Sequence, residues 1–241
     1  PSRLEFPSTH TLALERIPPG SRVLDIGCGG GHLLHALRQR GCRTRGVDRR
    51  PPANGCALDD FQLGDLNRSP LPFDLTQVDH AVMLDVVEHL ASPERFVDDF
   101  LREASRSPDV TLLVSTGNVA FLVVRLMLLA GRFNYGKRGI LDLTHTRLFT
   151  FRTFRRLFEQ SGFHVLEMRG VPAPFPLALG HTRLSRLLLL VNRVLIRISR
   201  SLFAYQIFAV AKPKPGLEAL LTRARVEAER RASAAEHPSG S

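Results

Sequence analysis

The stretch RVLDIGCGGGH, residues 22–32, decides how this chain is read. Arg22 to Ile26 is a short apolar run stopped by glycines, the pattern of a buried strand. Gly27, Gly29, Gly30 and Gly31 around Cys28 form a loop almost without side chains. Such a loop lets a ligand approach the backbone closely and lets φ turn positive. The unpaired N–H groups of a helix N-terminus then follow. That helix runs from His32 to Arg40 with Leu33, Leu34 and Leu37 on one face, and Gly41 stands where a C-cap glycine belongs.

Outward from this unit the pattern repeats. Arg43 to Asp48 reads as a second strand. Residues 51–60 are too broken for a long helix, and Asp60 to Leu66 reads as a short third strand. Val78 to Leu84 is a fourth. Ser92 and Pro93 then open a helix to about Arg106, with Ser92 expected to accept from the first turn. Val110 to Ser115 is a fifth strand. The second half predicts a helix over 119–130, a polar loop over 131–149 and a helix over 151–161 capped by Thr150. A strand over 163–168, a Pro-rich connector over 172–181, a helix over 183–200 and a strand over 203–211 complete it. The order predicts an α/β fold with a doubly wound, mostly parallel seven-stranded sheet and helical insertions in its C-terminal half. Ligands of such sheets bind at the carboxyl ends of the strands. One domain is expected over 1–212. Residues 213–241 follow as a charged helix (217–232) and a flexible tail (233–241).

Composition narrows the classes. The 241 residues are 44% hydrophobic and 23% charged, which excludes wholesale disorder and a small disulfide scaffold. Cys28, Cys42 and Cys56 are odd in number and lack metal-binding spacing, so three free thiols in a reducing compartment are expected. The apolar stretch 119–130 contains Arg125 and is shorter than the roughly 20 residues a membrane span needs. No leader pattern opens the chain, and its start at Pro1 suggests a trimmed end or an excised piece. Residues 1–120 hold 13 Arg and 16 Asp and Glu, net −3; residues 121–241 hold 20 Lys and Arg and 7 Asp and Glu, net +13. The basic half fits an anionic partner or a solvated basic face.

The glycine spacing separates two cofactors. A dinucleotide loop needs glycine at position 32, where His32 stands. The pattern present is G-x-G-x-G preceded by Asp25, with Asp48 closing the second strand. VLDIGCGGG (23–31), Asp48, GDL (64–66) and LDVVEHL (84–90) in this order resemble the class I S-adenosylmethionine (SAM)-dependent methyltransferases. THTRLFTFRTFRRLFEQSGF (144–163) adds to the likeness, which covers about residues 10–212 and is nearest the ubiquinone-biosynthesis type and bacterial surface-glycan-associated enzymes.

The resemblance implies a Rossmann-like fold and SAM as cofactor, with S-adenosylhomocysteine as product. It implies that Gly27, Gly29 and Gly31 lie along the methionine and ribose parts, and that Asp25 helps hold the amino end. Asp48 would take the ribose diol, Asp65 the adenine amino group and Leu66 the ring face. Asp85 and Val86 would line the sulfonium side. Methyl transfer to a hydroxyl also needs a base. His89, beside Glu88, is the first candidate and His145 the second. A divalent metal at Glu88 and His89 is conceivable on the same resemblance and is not expected. The implied acceptor is a small molecule, a sugar or a lipid-linked compound, with 119–149 and 172–202 on the acceptor side.

Arg186, Arg193, Arg197 and Arg200 form one stripe on the 183–200 helix, whose remaining residues are mostly Leu, Val and Ile. That pattern fits docking on an anionic membrane surface, and equally a core or dimer helix with snorkelling Arg. The expectation is a cytoplasmic protein, peripheral at the inner face of the cell membrane, with a homodimer left open. Nucleic acid is disfavoured: Trp is absent, with two Tyr to stack bases. The alternative to an enzyme is a non-catalytic SAM-fold module that binds a membrane or protein through its basic half.

Overall fold

The computed structural model describes residues 4–54, 56–68, 73–105, 107 and 109–214. In chain order the elements are α1 (Thr9–Arg16), β1 (Arg22–Ile26), α2 (His32–Arg38), β2 (Arg43–Asp48), β3 (Asp60–Leu63), β4 (His80–Leu84), α3 (Pro93–Ala104), β5 (Thr111–Gly117), α4 (Leu122–Leu129), α5 (Phe151–Gln160), β6 (Phe163–Val171), α6 (Phe175–Leu179), α7 (Arg183–Ile198), α8 (Arg200–Phe203) and β7 (Gln206–Pro213). The strands form one seven-stranded sheet in the order β3-β2-β1-β4-β5-β7-β6. β7 is antiparallel to both of its neighbours, and the other pairings are parallel. The expected doubly wound architecture is therefore present.

The central strands are apolar because helices cover both faces. Ala81 to Leu84 and Leu112 to Val114 are buried residue by residue. On one face, Phe96 and Phe100 of α3 and Phe154 and Phe158 of α5 pack on Leu24, Ile26, Met83 and Leu112. On the other, Ala13 of α1 and Leu33, Leu34 and Leu37 of α2 pack with Val82, Leu113 and Phe208. The chain winds from β1 to β2 and β3 in one direction, then restarts at β4 on the opposite side of β1. The carboxyl ends of β1 and β4 thus flank the switch point, where a crevice must open.

Several local expectations change. The sequence reading has no helix over Thr9–Arg16, yet Ser8 caps one there through a reciprocal bond with Thr11. Ser92 makes no side-chain cap bond, so Pro93 at the first position opens α3 without it. The fourth strand begins at His80, because Leu75–Gln77 is a 3₁₀ turn capped by Asp74. α4 begins at Leu122, because the Val119 N–H is already spent on the Phe149 carbonyl at 2.9 Å. The connector 172–181 contains the short helix α6, and α7 ends at Ile198 where Ser199 turns extended. The charged helix over 217–232 and the tail over 233–241 lie outside the described residues.

Two excursions leave and rejoin the sheet at its carboxyl edge. The first runs from Asn118 to Phe149, whose residues bridge each other. The second runs from Val171 to Gln206, which are paired in register. Asn118 joins the two. Its Nδ2 donates to the carbonyls of Ser201 (3.0 Å) and Ala204 (2.8 Å), and its Oδ1 accepts from the Ala120 N–H (3.1 Å). Asn118 is fully buried, so its loss strands backbone groups away from water. Asn118→Ala is expected to lower unfolding stability by about 2–4 kcal/mol, read as a shift of the urea midpoint at unchanged slope.

Candidate active site

The site grows from the glycine loop between β1 and α2. Gly27, Gly29 and Gly31 have φ of +78°, +54° and +77°, a region that L side chains rarely adopt. Gly27 also has no room for more: a Cβ there would lie 2.4 Å from Val86 Cγ2. Gly29 differs, since a Cβ there would meet nothing within 4 Å and would project into open space. The loop is therefore pressed against β4 on one side and open on the other.

Two carboxylates border the open side. Asp48, at the end of β2, accepts from the N–H groups of Gly29 (2.8 Å) and Arg50 (3.0 Å). Asp25, inside β1, is 4% exposed. It meets no cation and no side-chain hydrogen-bond donor among the described residues. Burial, aided by the Asp48 charge, pushes its carboxyl up to about 7. Burial and the same two carboxylates push the Cys28 thiol up to about 12, so Cys28 is an inert loop residue at neutral pH. Asp65, just past β3, uses its carboxylate locally, accepting from the Asn67 N–H at 3.0 Å with Arg68 3.7 Å away. Leu66 packs against the core beside it.

The end of β4 supplies the opposite wall. Asp85 has φ +57° and is the one non-glycine residue with positive φ among the described residues. Its carboxylate accepts from Ser115 Oγ at 2.9 Å and from Gln206 Nε2 at 2.8 and 2.7 Å. The sharp bend at Asp85 turns Val86 onto Gly27 and drives Glu88 inward. Glu88 is 2% exposed. One of its carboxyl oxygens faces the Gly117 N–H at 3.4 Å, and Oε2 is buried with no partner among the described residues. Burial, with the Asp85 charge second, pushes Glu88 up to about 8.

His89 and His145, 56 positions apart, stand together with ring centroids 4.7 Å apart, edge to face. The clamp is backbone: the N–H groups of Thr146 (2.8 Å) and Arg147 (3.2 Å) both donate to the Glu88 carbonyl. His89 Nδ1 lies 3.2 Å from the Thr144 carbonyl, and His145 Nδ1 lies 2.9 Å from the Ile140 carbonyl. A carbonyl can only accept, so the Ile140 carbonyl favours the proton on His145 Nδ1 and leaves Nε2 as the acceptor of the neutral ring, while His89 Nδ1 also lies 3.1 Å from Thr144 Oγ1, which donates to Asp142 Oδ1. Burial pulls the His145 ring below its ordinary range, which favours the neutral base.

The structure thus gathers Asp25, Gly27, Gly29, Gly31, Asp48, Asp85, Val86, Glu88, His89 and His145 at the carboxyl edge of the sheet. Asp65 and Leu66 sit at the end of the neighbouring strand. The sequence reading missed Ser115 and Gln206, which hold Asp85, and Thr144, which orients His89. None has a local signature: each matters through a strand pairing or a loop return. Among the described residues no group of three or more His, Cys, Asp or Glu is disposed to hold a metal ion.

Glu88 and Asp25 make stability depend on pH. Each folded value lies above its ordinary one of 4.5 and 3.8. The folded chain therefore holds protons that the unfolded chain has released, and stability falls as pH rises through the folded values. Between about pH 6.5 and 8, above the ordinary histidine value from which His80 and His145 are lowered, thermal melting is expected to drop with rising pH as Asp25 and Glu88 ionise. Glu88→Gln should flatten the upper part of that drop, and an unchanged profile in the variant would show that Glu88 is not the source.

Comparison with known proteins agrees with this geometry. A model of the methyltransferase domain family matches residues 3–168. The mitochondrial ubiquinone biosynthesis O-methyltransferase of Schizosaccharomyces pombe is 27% identical over 174 residues, 67% of this chain and 59% of that protein. Norajmaline N-methyltransferase of Rauvolfia serpentina is 30% identical over 104 residues, 38% of this chain and 35% of that one. The chain thus spans about three fifths or less of the length of these curated relatives. In fold it is similar to a SAM-dependent methyltransferase from Archaeoglobus fulgidus, with a TM-score of 0.56 at 19% identity over 88% of this chain and 95% of the other. With the family match covering well over half of its length, the chain belongs to the methyltransferase domain family.

Proposed function

We propose that the protein is a SAM-dependent methyltransferase that methylates an oxygen of a small-molecule, sugar or lipid-linked acceptor. The observation that carries this reading is the contact of Val86 with Gly27, which brings the Glu88–His89 turn beside the open glycine loop. Cofactor pocket and candidate base then share one crevice.

The residues present fit SAM. Asp25 is a buried carboxyl without a cation, and a positively charged amino group would relieve it. Gly29 leaves open space where a side chain would otherwise stand. Asp48, acidic and at a strand end, suits a ribose diol. Asp65 and Leu66 would take the adenine edge and face, and Asp85 and Val86 would line the methyl-bearing side. When bound, SAM supplies an activated methyl group.

The chain's own residues then position the acceptor and move its proton. As a neutral ring, either His89 or His145 can take the proton of an acceptor hydroxyl. His89 is the first candidate, since it directly follows the buried Glu88 in the turn beside the glycine loop. The second ring, edge-on, orients the first. Burial favours the protonated form of Glu88, whose inward side chain fixes the turn. Oxygen as the acceptor atom rests on this histidine pair and on the likeness to the ubiquinone biosynthesis O-methyltransferases. The match to an N-methyltransferase makes nitrogen acceptors the natural control.

Calorimetric titration with SAM tests the cofactor. Asp48→Ala removes an acceptor of charge-assisted hydrogen bonds and is expected to weaken binding roughly 10–100-fold. No binding to the intact protein would remove the reading. His89→Ala is expected to keep cofactor affinity and lower kcat about 10²–10⁴-fold, measured as S-adenosylhomocysteine release with a panel of hydroxylated acceptors and amine controls. Cofactor binding without turnover on any acceptor would favour a non-catalytic module.

A further inference from the structure

α7 buries Leu189 and packs Ile196 on the core, yet six of its apolar residues stay outside while two polar ones go in. Its polar residues Ser185 and Asn192 are buried, at 0% and 7% exposure. Its apolar residues Leu184, Leu187, Leu190, Val191, Val194 and Ile198 face outward, with exposures between 46% for Val191 and 73% for Ile198. At 100° per residue these six share one arc of about 120°. Arg186, Arg193 and Arg197 are exposed on the adjoining arc. Arg200 leaves the stripe that the sequence suggests, because it lies in α8, donates to the Met168 carbonyl at 2.9 Å and stacks on Phe151.

Specific bonds hold this orientation. Asn192 Oδ1 accepts from the Ala173 N–H at 3.0 Å, and its Nδ2 donates to the Phe203 carbonyl at 2.9 Å. Gly170 of β6 lets the helix in: a Cβ there would lie 3.0 Å from Ile196 Cγ2 and 2.7 Å from Ala204 Cβ. Rotating α7 to bury its outward leucines would break both Asn192 bonds and carry Leu189 out of the packed interface. The exposed face is therefore a fixed feature of the fold, larger than the scattered apolar residues of an ordinary surface.

The charge around it selects the occupant. No Asp or Glu occurs between Glu167 and Glu218. α4, on the other excursion from the carboxyl edge, also exposes Leu126, Leu128 and Leu129, with Arg132 following. A second copy packed on α7 about a two-fold axis would bring arginine rows together with no acid on the helix to offset them. An anionic lipid surface meets both demands: acyl chains take the leucine face and headgroup phosphates take the arginines. No helix of the described residues is long and apolar enough to cross a membrane.

We propose that α7 docks flat on an anionic lipid bilayer, its Leu184–Ile198 face inserted at the headgroup level and Arg186, Arg193 and Arg197 on lipid phosphates. This docking is independent of methyl transfer. Its consequence is that the excursion between β6 and β7, which starts and ends at the site edge, anchors the crevice close to the membrane surface.

Co-sedimentation of the full chain with vesicles tests it. Phosphatidylcholine vesicles containing phosphatidylglycerol should bind the protein at least tenfold more tightly than phosphatidylcholine alone, and added salt should weaken the binding. Arg193→Ala with Arg197→Ala should weaken it about 25-fold, about fivefold for each charge. Leu190→Ser with Val194→Ser should weaken it by about tenfold or more. All four positions are exposed, so circular dichroism and melting should match the parent and exclude unfolding as the cause. Absence of binding to the anionic vesicles, or binding that neither double variant weakens, overturns the proposal. So does a dimer, seen by analytical ultracentrifugation, that Leu190→Ser with Val194→Ser dissociates, which would assign the face to a second copy.

Discussion

The bend at Asp85 sets the rest of the site. β4 would otherwise run on past the sheet edge. Instead Asp85 takes φ +57°, a conformation that a non-glycine residue holds only when its surroundings over-determine it. Ser115 from β5 and Gln206 from β7 both donate to its carboxylate, so three strands fix one residue. Everything downstream follows from that turn. Val86 falls against Gly27 and leaves no space for a side chain at that position, and Glu88 is driven inward. The carbonyl of Glu88 is left to receive Thr146 and Arg147, which carry His145 to His89.

The same turn explains two buried carboxyls without partners adequate to their charge. Asp25 and Glu88 lie on either side of the β1–β4 switch point, and both are held well above the ordinary carboxylate range by burial. Groups like these destabilise an empty fold, and sequences retain them where a ligand compensates. A cationic ligand at Asp25 would favour its ionised form and remove that burden, while burial holds Glu88 toward its protonated form. The two carboxyls therefore have separate roles despite similar burial.

The two excursions divide the labour of the second half. The segment between Asn118 and Phe149 brings His145 to the crevice and closes on itself through a backbone bridge. The segment between Val171 and Gln206 carries α7, with Ser185, Leu189 and Asn192 inward and Leu184, Leu187 and Leu190 outward. Asn118 bonds the start of one to the end of the other, so the wall of the crevice and the basic apolar helix rest on a common side chain. This arrangement links a chemical site and a surface of opposite character within a few residues of the sheet edge.

The sequence by itself determined the parallel sheet, its winding and the glycine loop bordered by Asp25 and Asp48. Those signals are local: an apolar run, a glycine loop and a strand-ending acid each act within a few residues, so spacing alone reports them. The reading also singled out Glu88, His89 and His145, but as separate candidates. Their meeting is decided by hydrogen bonds between residues more than fifty positions apart, which no periodicity encodes. Gln206 as the holder of Asp85 depends on β7 entering the sheet antiparallel between β5 and β6. The sequence showed a leucine-rich helix with an arginine stripe and left its buried side open. Only the tertiary structure decided that, because Asn192 is tied to Ala173 and Phe203 and Leu189 and Ile196 are packed on the same side.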